Sequence, residues 1–234
     1  MNIRSVLRRG IDHPLRCEDD LFIFQNEQFV IGAIFDGCTS GETSSFASTL
    51  FVKLFNKSIK EVLESKKNYM AIFLHEDLFK QFIFNLRNIK LGLTANELLS
   101  TIVYFVYDIR RGQIVSSICG DGNIFLDNSR VHIHNEDNSV EYLSTKILKP
   151  ISDLYDEMQF AMKENPKDFS ICSDGIESFK HKSGIAKEEE AIQSLIIDDS
   201  FLNVESMLNR KCNILQTKND IYHTDDLSII RVIL

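Results

Sequence analysis

The sequence predicts an α+β fold. Strand-like runs cluster early and in the middle of the chain, helical stretches lie between and after them, and an apolar run closes it. Strict alternation of strand and helix, the mark of a parallel doubly wound sheet, is missing. The 234 residues suit one large domain or two small ones, and an apolar content of 44% can fill a sizeable core. With three prolines and no Pro/Gly/Ser-rich linker, residues 1–234 read as a single domain.

Taken in order, "DLFIFQNEQFVIGAIF" (residues 20–35) reads as two strands around a polar turn at Asn26–Gln28. From Glu42 to about Lys66, apolar residues recur at helical spacing: Phe46, Leu50, Phe55, Ile59, Val62 and Leu63. A second helix covers Ala71 to Asn88, and its Phe-rich stretch is amphipathic, suited to packing on a sheet. "ELLSTIVYFVYD" is β-rich, "IRRG" is a turn, and "QIVSSIC" is a strand. "NIFLD" and "RVHIH" form a hairpin around Asn128-Ser129, which puts His132 and His134 on one face of an exposed strand. Residues 140–167 are mixed. "DFSICSD" is a strand, helical stretches follow near 186–197 and 203–216, and "LSIIRVIL" is the last strand.

Composition narrows the function. The net charge is −8 and no basic stripe is visible, which argues against a nucleic-acid partner. Cys17, Cys38, Cys119, Cys172 and Cys212 are dispersed without a CxxC pair, so neither a disulfide framework nor a structural zinc site is predicted. Cys119 and Cys172 lie in apolar runs and read as buried thiols. The opening "MNIRSVLRRGIDH" has no secretory apolar core, and no run reaches the roughly 18 apolar residues of a membrane span. A reduced, cytoplasmic setting is the expectation.

Acids recur at strand ends. Asp36-Gly37 follows "FVIGAIF", Asp121-Gly122 follows "QIVSSICG", and Asp174-Gly175 follows "FSICS". Glu18, Asp19 and Asp20 precede "LFIF", and Asp225 and Asp226 precede the last strand. One Asp-Gly pair is a solvated turn. Five acidic groups at strand tips point instead to one rim of a sheet, where converging carboxylates repel unless a cation lies among them. Oxygen-only ligands suit magnesium or manganese rather than zinc. Each following glycine lets the backbone turn sharply and approach closely.

The ordered set "CEDD…IFDG…STIVYF…CGDGNIF…CSDGIESF…TDDLSII" resembles the metal-dependent Ser/Thr protein phosphatases of type 2C in their compact bacterial form, from about Arg9 to Leu234. The resemblance implies two packed antiparallel β-sheets flanked by helices, an αββα sandwich, with two Mn2+ or Mg2+ ions at one end. It implies Asp36 as the acid bridging both ions, and Glu18 with the Gly37 carbonyl on the second. Asp174 and Asp225 would hold the first ion, and Asp121 would help hold a weaker third ion found in some members. Asp19 matches the acid that orients metal-bound water, and Ser100-Thr101 falls at a small-residue strand start. The implied reaction is attack on phosphorus by a metal-bridging hydroxide, without a covalent phospho-enzyme. The implied partner is a phosphorylated protein substrate, met by a monomer.

Departures from the family pattern bear on catalysis. Cys38 stands where members often carry a proton-donating His after Asp-Gly. Pro14 stands where they carry a phosphate-gripping Arg, and His13 and Arg16 flank it as candidate replacements. Asp226 replaces an Asn and adds a negative charge. His223 precedes Asp225 and reads either as a support for that site or as a surface turn. Three functions therefore compete. The first is a phosphoserine/phosphothreonine phosphatase. The second is a weak or inactive module of the same fold that binds a phosphoprotein or regulator. The third is a metal-dependent phosphodiesterase or nuclease, which the acidic net charge disfavours.

Overall fold

The run Phe29–Phe35 is apolar at every position, and the computed structural model shows why: both of its faces are covered. The structure describes residues 1–13, 15–38, 44–65, 69–89, 91–131 and 142–234. Pro14, His132, His134 and the expected helix start at Glu42 lie outside the described residues.

In chain order the elements are β1 (Asn2–Arg8), β2 (Asp20–Gln25), β3 (Phe29–Phe35), α1 (Ser44–Ser65), α2 (Ala71–Arg87), β4 (Ile102–Asp108), β5 (Gln113–Cys119), β6 (Asn123–Leu126) and β7 (Ser129–Val131). There follow α3 (Leu143–Lys146), α4 (Ile151–Asp156), β8 (Gln159–Glu164), β9 (Asp168–Cys172), β10 (Phe179–His181), α5 (Glu188–Ile192) and α6 (Met207–Lys218), then β11 (Ile221–His223) and β12 (Leu227–Ile233). One sheet has the order β2-β3-β4-β5-β8 and the other β1-β12-β9-β6-β7, with every pair antiparallel. A small β10-β11 pair stands apart.

The period-2 alternation of side chains divides each strand between two cores. On β3, Phe29, Ile31, Ala33 and Phe35 face α1 and α2, among Phe55, Leu78, Phe82 and Tyr104. Val30 and Ile34 point the other way, into the layer between the sheets with Phe105, Phe169, Ile171 and Ile230. A third core lies under α5, a π-helical turn at Gln193–Ile197, and α6, against the outer face of β9 and β12. The result is an α+β fold, as the pattern predicts, and the sandwich of two antiparallel sheets flanked by helices that the resemblance implies.

Some elements differ from expectation. The edge strand β1 pairs only with β12, and Arg4, Ser5 and Arg8 break its apolar pattern. Cys172 is buried as read, whereas Cys119, the last residue of β5, is half-buried; none of the five cysteines forms a disulfide among the described residues. The mixed segment after residue 140 resolves into two short helices and the edge strand β8. His75, on the buried face of α2, contacts the hydroxyls of Tyr155 (3.0 Å), Tyr104 (3.1 Å) and Ser117 (3.2 Å). Burial pushes its pKa down to about 3, so it is a neutral core group.

Candidate metal centre

Strand register brings the strand-end acids to one rim. Asp20 pairs with Phe35, so Glu18 and Asp19 arrive beside Asp36, and the Gly37 amide donates to the Glu18 carbonyl at 3.2 Å. Cys172 pairs with Ile229 on one side and Asn123 on the other. Asp174, Asp225–Asp226 and Asp121 therefore emerge together. Phe35 anchors the strand end just before Asp36 through ring contacts with Phe51, Phe55 and Phe82 at 5.7–5.9 Å. The Asp36 carbonyl accepts from the Thr101 amide at 2.9 Å, and the Cys38 amide donates to the Leu99 carbonyl at 3.1 Å. Ser100 and Thr101 are buried here, holding the Asp36–Cys38 backbone in place.

Glycine is required where segments cross. A Cβ on Gly175 would lie 1.8 Å from the Asp226 carbonyl oxygen, and one on Gly10 would lie 2.4 Å from backbone atoms of Thr224 and Asp225. These approaches pack the loop after β9 and the chain after β1 onto the turn before β12.

Asp36, Asp121 and Asp174 each offer a carboxylate oxygen, and the three lie within 4.8 Å of one another. Burial, then the charges of Asp19 and Asp174, push Asp36 well above the usual carboxylate range. Burial is also the main cause for Asp174, which Asp121 and Asp225 help raise to about 7. Asp121 is raised by burial, with Glu177 and Asp225 adding to it. Asp19 is raised to about 6, again by burial first, although its Oδ2 accepts the Ser228 hydroxyl at 2.7 Å. Among the described residues, Asp19 Oδ1 and Asp174 Oδ1 are buried without a hydrogen-bond partner. Orphaned, crowded carboxylate oxygens are the donor set of a hard divalent cation, so the residues present fit manganese or magnesium.

Glu18 and Asp225 are gathered around His13 instead. His13 Nε2 lies 3.1 Å from Asp225 Oδ1, and Nδ1 lies 2.9 Å from Asp226 Oδ2 and 3.8 Å from Glu18 Oε2. Burial opposes a charge on His13, but the Asp226 hydrogen bond and the three acids outweigh it and raise its pKa. Asp226 is buried and also accepts from the amides of Gly10, at 2.7 Å, and Glu18. Its extra charge is thus answered by His13 and two backbone donors. Arg16 is exposed and has no ion pair among the described residues. His223 donates from Nδ1 to the Asp225 carbonyl at 2.9 Å, which supports that turn.

One group near the rim had no sequence signal. The Tyr142 hydroxyl donates to Cys38 Sγ at 3.0 Å, and the charges of Asp121 and Asp36 reach it. Tyr142 lies in the segment whose pattern is mixed, so only the folded arrangement reveals it.

The sequence matches the family described as Protein phosphatase 2C over residues 8–210. No curated protein matches the chain. Among solved structures, it is similar to the serine/threonine phosphatase Stp1 from Staphylococcus aureus, with 13% identity and a TM-score of 0.67 over 100% of this chain and 95% of that one. It is similar to PstP, a serine/threonine protein phosphatase catalytic domain solved with two manganese ions, with 13% identity and a TM-score of 0.59 over 98% and 96%. For the phosphatase domain and regulatory fragment of SpoIIE from Bacillus subtilis, identity is 14% and the TM-score 0.63, and this chain spans 63% of that one. At these identities the structural likenesses speak to the fold. The sequence match extends over most of the residues that carry the strand-end acids, and the chain belongs to the protein phosphatase 2C family.

Proposed function

We propose that the chain is a metal-dependent phosphatase acting on phosphoserine or phosphothreonine in proteins, as a single domain over residues 1–234. The observation that carries this reading is the group of Asp36, Asp121 and Asp174 within 4.8 Å, with buried carboxylate oxygens left unpartnered. Family membership supports it, and the manganese named with PstP supports the choice of ion.

In this reading Asp36, Asp174 and Asp225, with Glu18 and the Gly37 carbonyl, would hold two Mn2+ or Mg2+ ions, and Asp121 would help hold a weaker third. When bound, such ions supply an activated water and neutralise charge on a phosphoryl group. Asp19, held by Ser228, orients water at the rim. His13 holds Glu18, Asp225 and Asp226 together, and Arg16, exposed on the same segment, is available to a substrate phosphate. No helix among the described residues is long and apolar enough to cross a membrane, and the proposed substrate is a phosphoprotein met in the cytoplasm by a monomer.

Cys38 at the proton-donor position supports the competing reading, a module that binds a phosphoprotein without cleaving it. The deciding experiment is phosphate release from a phosphothreonine peptide in manganese, after chelation, and after manganese is restored. Hydrolysis that disappears and returns supports the phosphatase. Tight peptide binding without turnover in manganese supports the module.

A further inference from the structure

Cys38 follows Asp36 and Gly37 directly, and its amide is pinned to the Leu99 carbonyl. Its backbone is therefore held two residues after Asp36. The Tyr142 phenol reaches the Cys38 thiol from α3's N-terminal flank at 3.0 Å. Through that thiol the half-buried phenol is tied to the chain two residues after Asp36. Its hydroxyl is a donor at neutral pH, and its present acceptor is a weak one, because sulfur accepts hydrogen bonds poorly. An ionised oxygen is a far better acceptor, and hydrogen bonds to such an oxygen are roughly twice as strong as neutral ones.

Resting on the phosphatase reading above, we propose that Tyr142 is a catalytic residue whose O–H leaves Cys38 Sγ and hydrogen-bonds the seryl or threonyl oxygen of the substrate as its bond to phosphorus breaks. Water adds its oxygen to phosphorus, and the P–O ester bond breaks with its electron pair on the seryl oxygen. The proton lost by the water balances the one that oxygen gains through solvent. Tyr142 keeps its own proton and stabilises the charge that develops on the leaving oxygen, the action of an oxyanion-hole donor. This assigns a residue to the function left open where Cys38 replaces the family's histidine.

The test compares wild type with Tyr142→Phe on a phosphoserine peptide and on p-nitrophenyl phosphate, both in manganese. An alkoxide leaves badly and needs the donor, whereas p-nitrophenolate leaves as a stable anion. The variant is expected to lose about 10- to 100-fold in kcat on the peptide, with KM little changed, and less than about threefold on the aryl ester. Manganese affinity, read by calorimetry, is expected to stay the same. Equal losses on both substrates, or a weakened manganese affinity, would make Tyr142 a structural support and overturn the proposal. An active wild type with an unaffected variant overturns it as well. A wild type inactive on both substrates overturns the phosphatase reading itself and this role with it, a result distinct from the other two.

Discussion

Replacing Asp36 by Asn reverses sign with metal. The change keeps the shape of the side chain and removes one charge from a buried cluster. Without metal that charge is costly: Asp174, in the same cluster, is raised from 3.8 to about 7, which at about 1.4 kcal/mol per pH unit corresponds to about 4 kcal/mol. Asp36 is pushed the same way, by burial and then by Asp19 and Asp174. Allowing for relaxation of the neighbours, Asp36→Asn is expected to stabilise the chelated protein by about 2–3 kcal/mol, or about 4–12 °C in Tm for a chain of this size. Manganese at about a thousand times its Kd adds about 4.1 kcal/mol to wild type, more than the variant's advantage in chelator. The variant lacks the shared carboxylate and gains little, so in manganese wild type melts higher. Thermal scans of both proteins in chelator and in millimolar manganese check this. A variant less stable than wild type in chelator, or one with the full manganese shift, would refute the reasoning.

The pH dependence has a definite sign. Asp19 and Asp174 titrate higher in the folded chain than in the unfolded one, so their stabilising effect is full below about pH 4 and is lost as pH rises to about 7. His13, also raised, acts in the same direction. Chelated wild type should melt several degrees higher at pH 5 than at pH 8, and a flat profile would contradict this. Asp226→Ala removes the acceptor for Gly10, Glu18 and His13, and is expected to cost about 3–5 kcal/mol in denaturant titrations, with Asp226→Asn milder. Gly175→Ala puts a methyl against the Asp226 carbonyl and should prevent recovery of folded protein. Gly184→Ala, with open space around it, should cost only about 1 kcal/mol despite its positive φ.

How much was legible in the sequence follows from how far each signal depends on local pattern. Strands β3 and β4 are long apolar runs because both faces are covered, and they read directly. The helical stretch to Lys66 and the Ala71 helix read from their periodicity, and observed α2 spans Ala71–Arg87. Strands β10 and β11 have three residues each, too few to show alternation, and β1 is masked by its arginines and serine. At the rim, Asp36, Asp121 and Asp174 announced themselves through repeated Asp-Gly pairs at strand ends, and the fold brings them together. The His13 ion pairs with Asp225 and Asp226 depend on two distant segments crossing, which no local spacing encodes. Tyr142 is a tyrosine in an unpatterned segment, and its place beside Cys38 comes from tertiary packing alone.

The central claim is that the strand-end acids form a metal centre, and anomalous diffraction at the manganese edge tests it most directly. Crystals grown with manganese are expected to show two peaks flanking the Asp36 carboxylate, one next to Asp174 and Asp225 and the other next to the Gly37 carbonyl and Glu18. Peaks confined to other parts of the surface, with the cluster of Asp36, Asp121 and Asp174 empty at saturating manganese, would contradict the account.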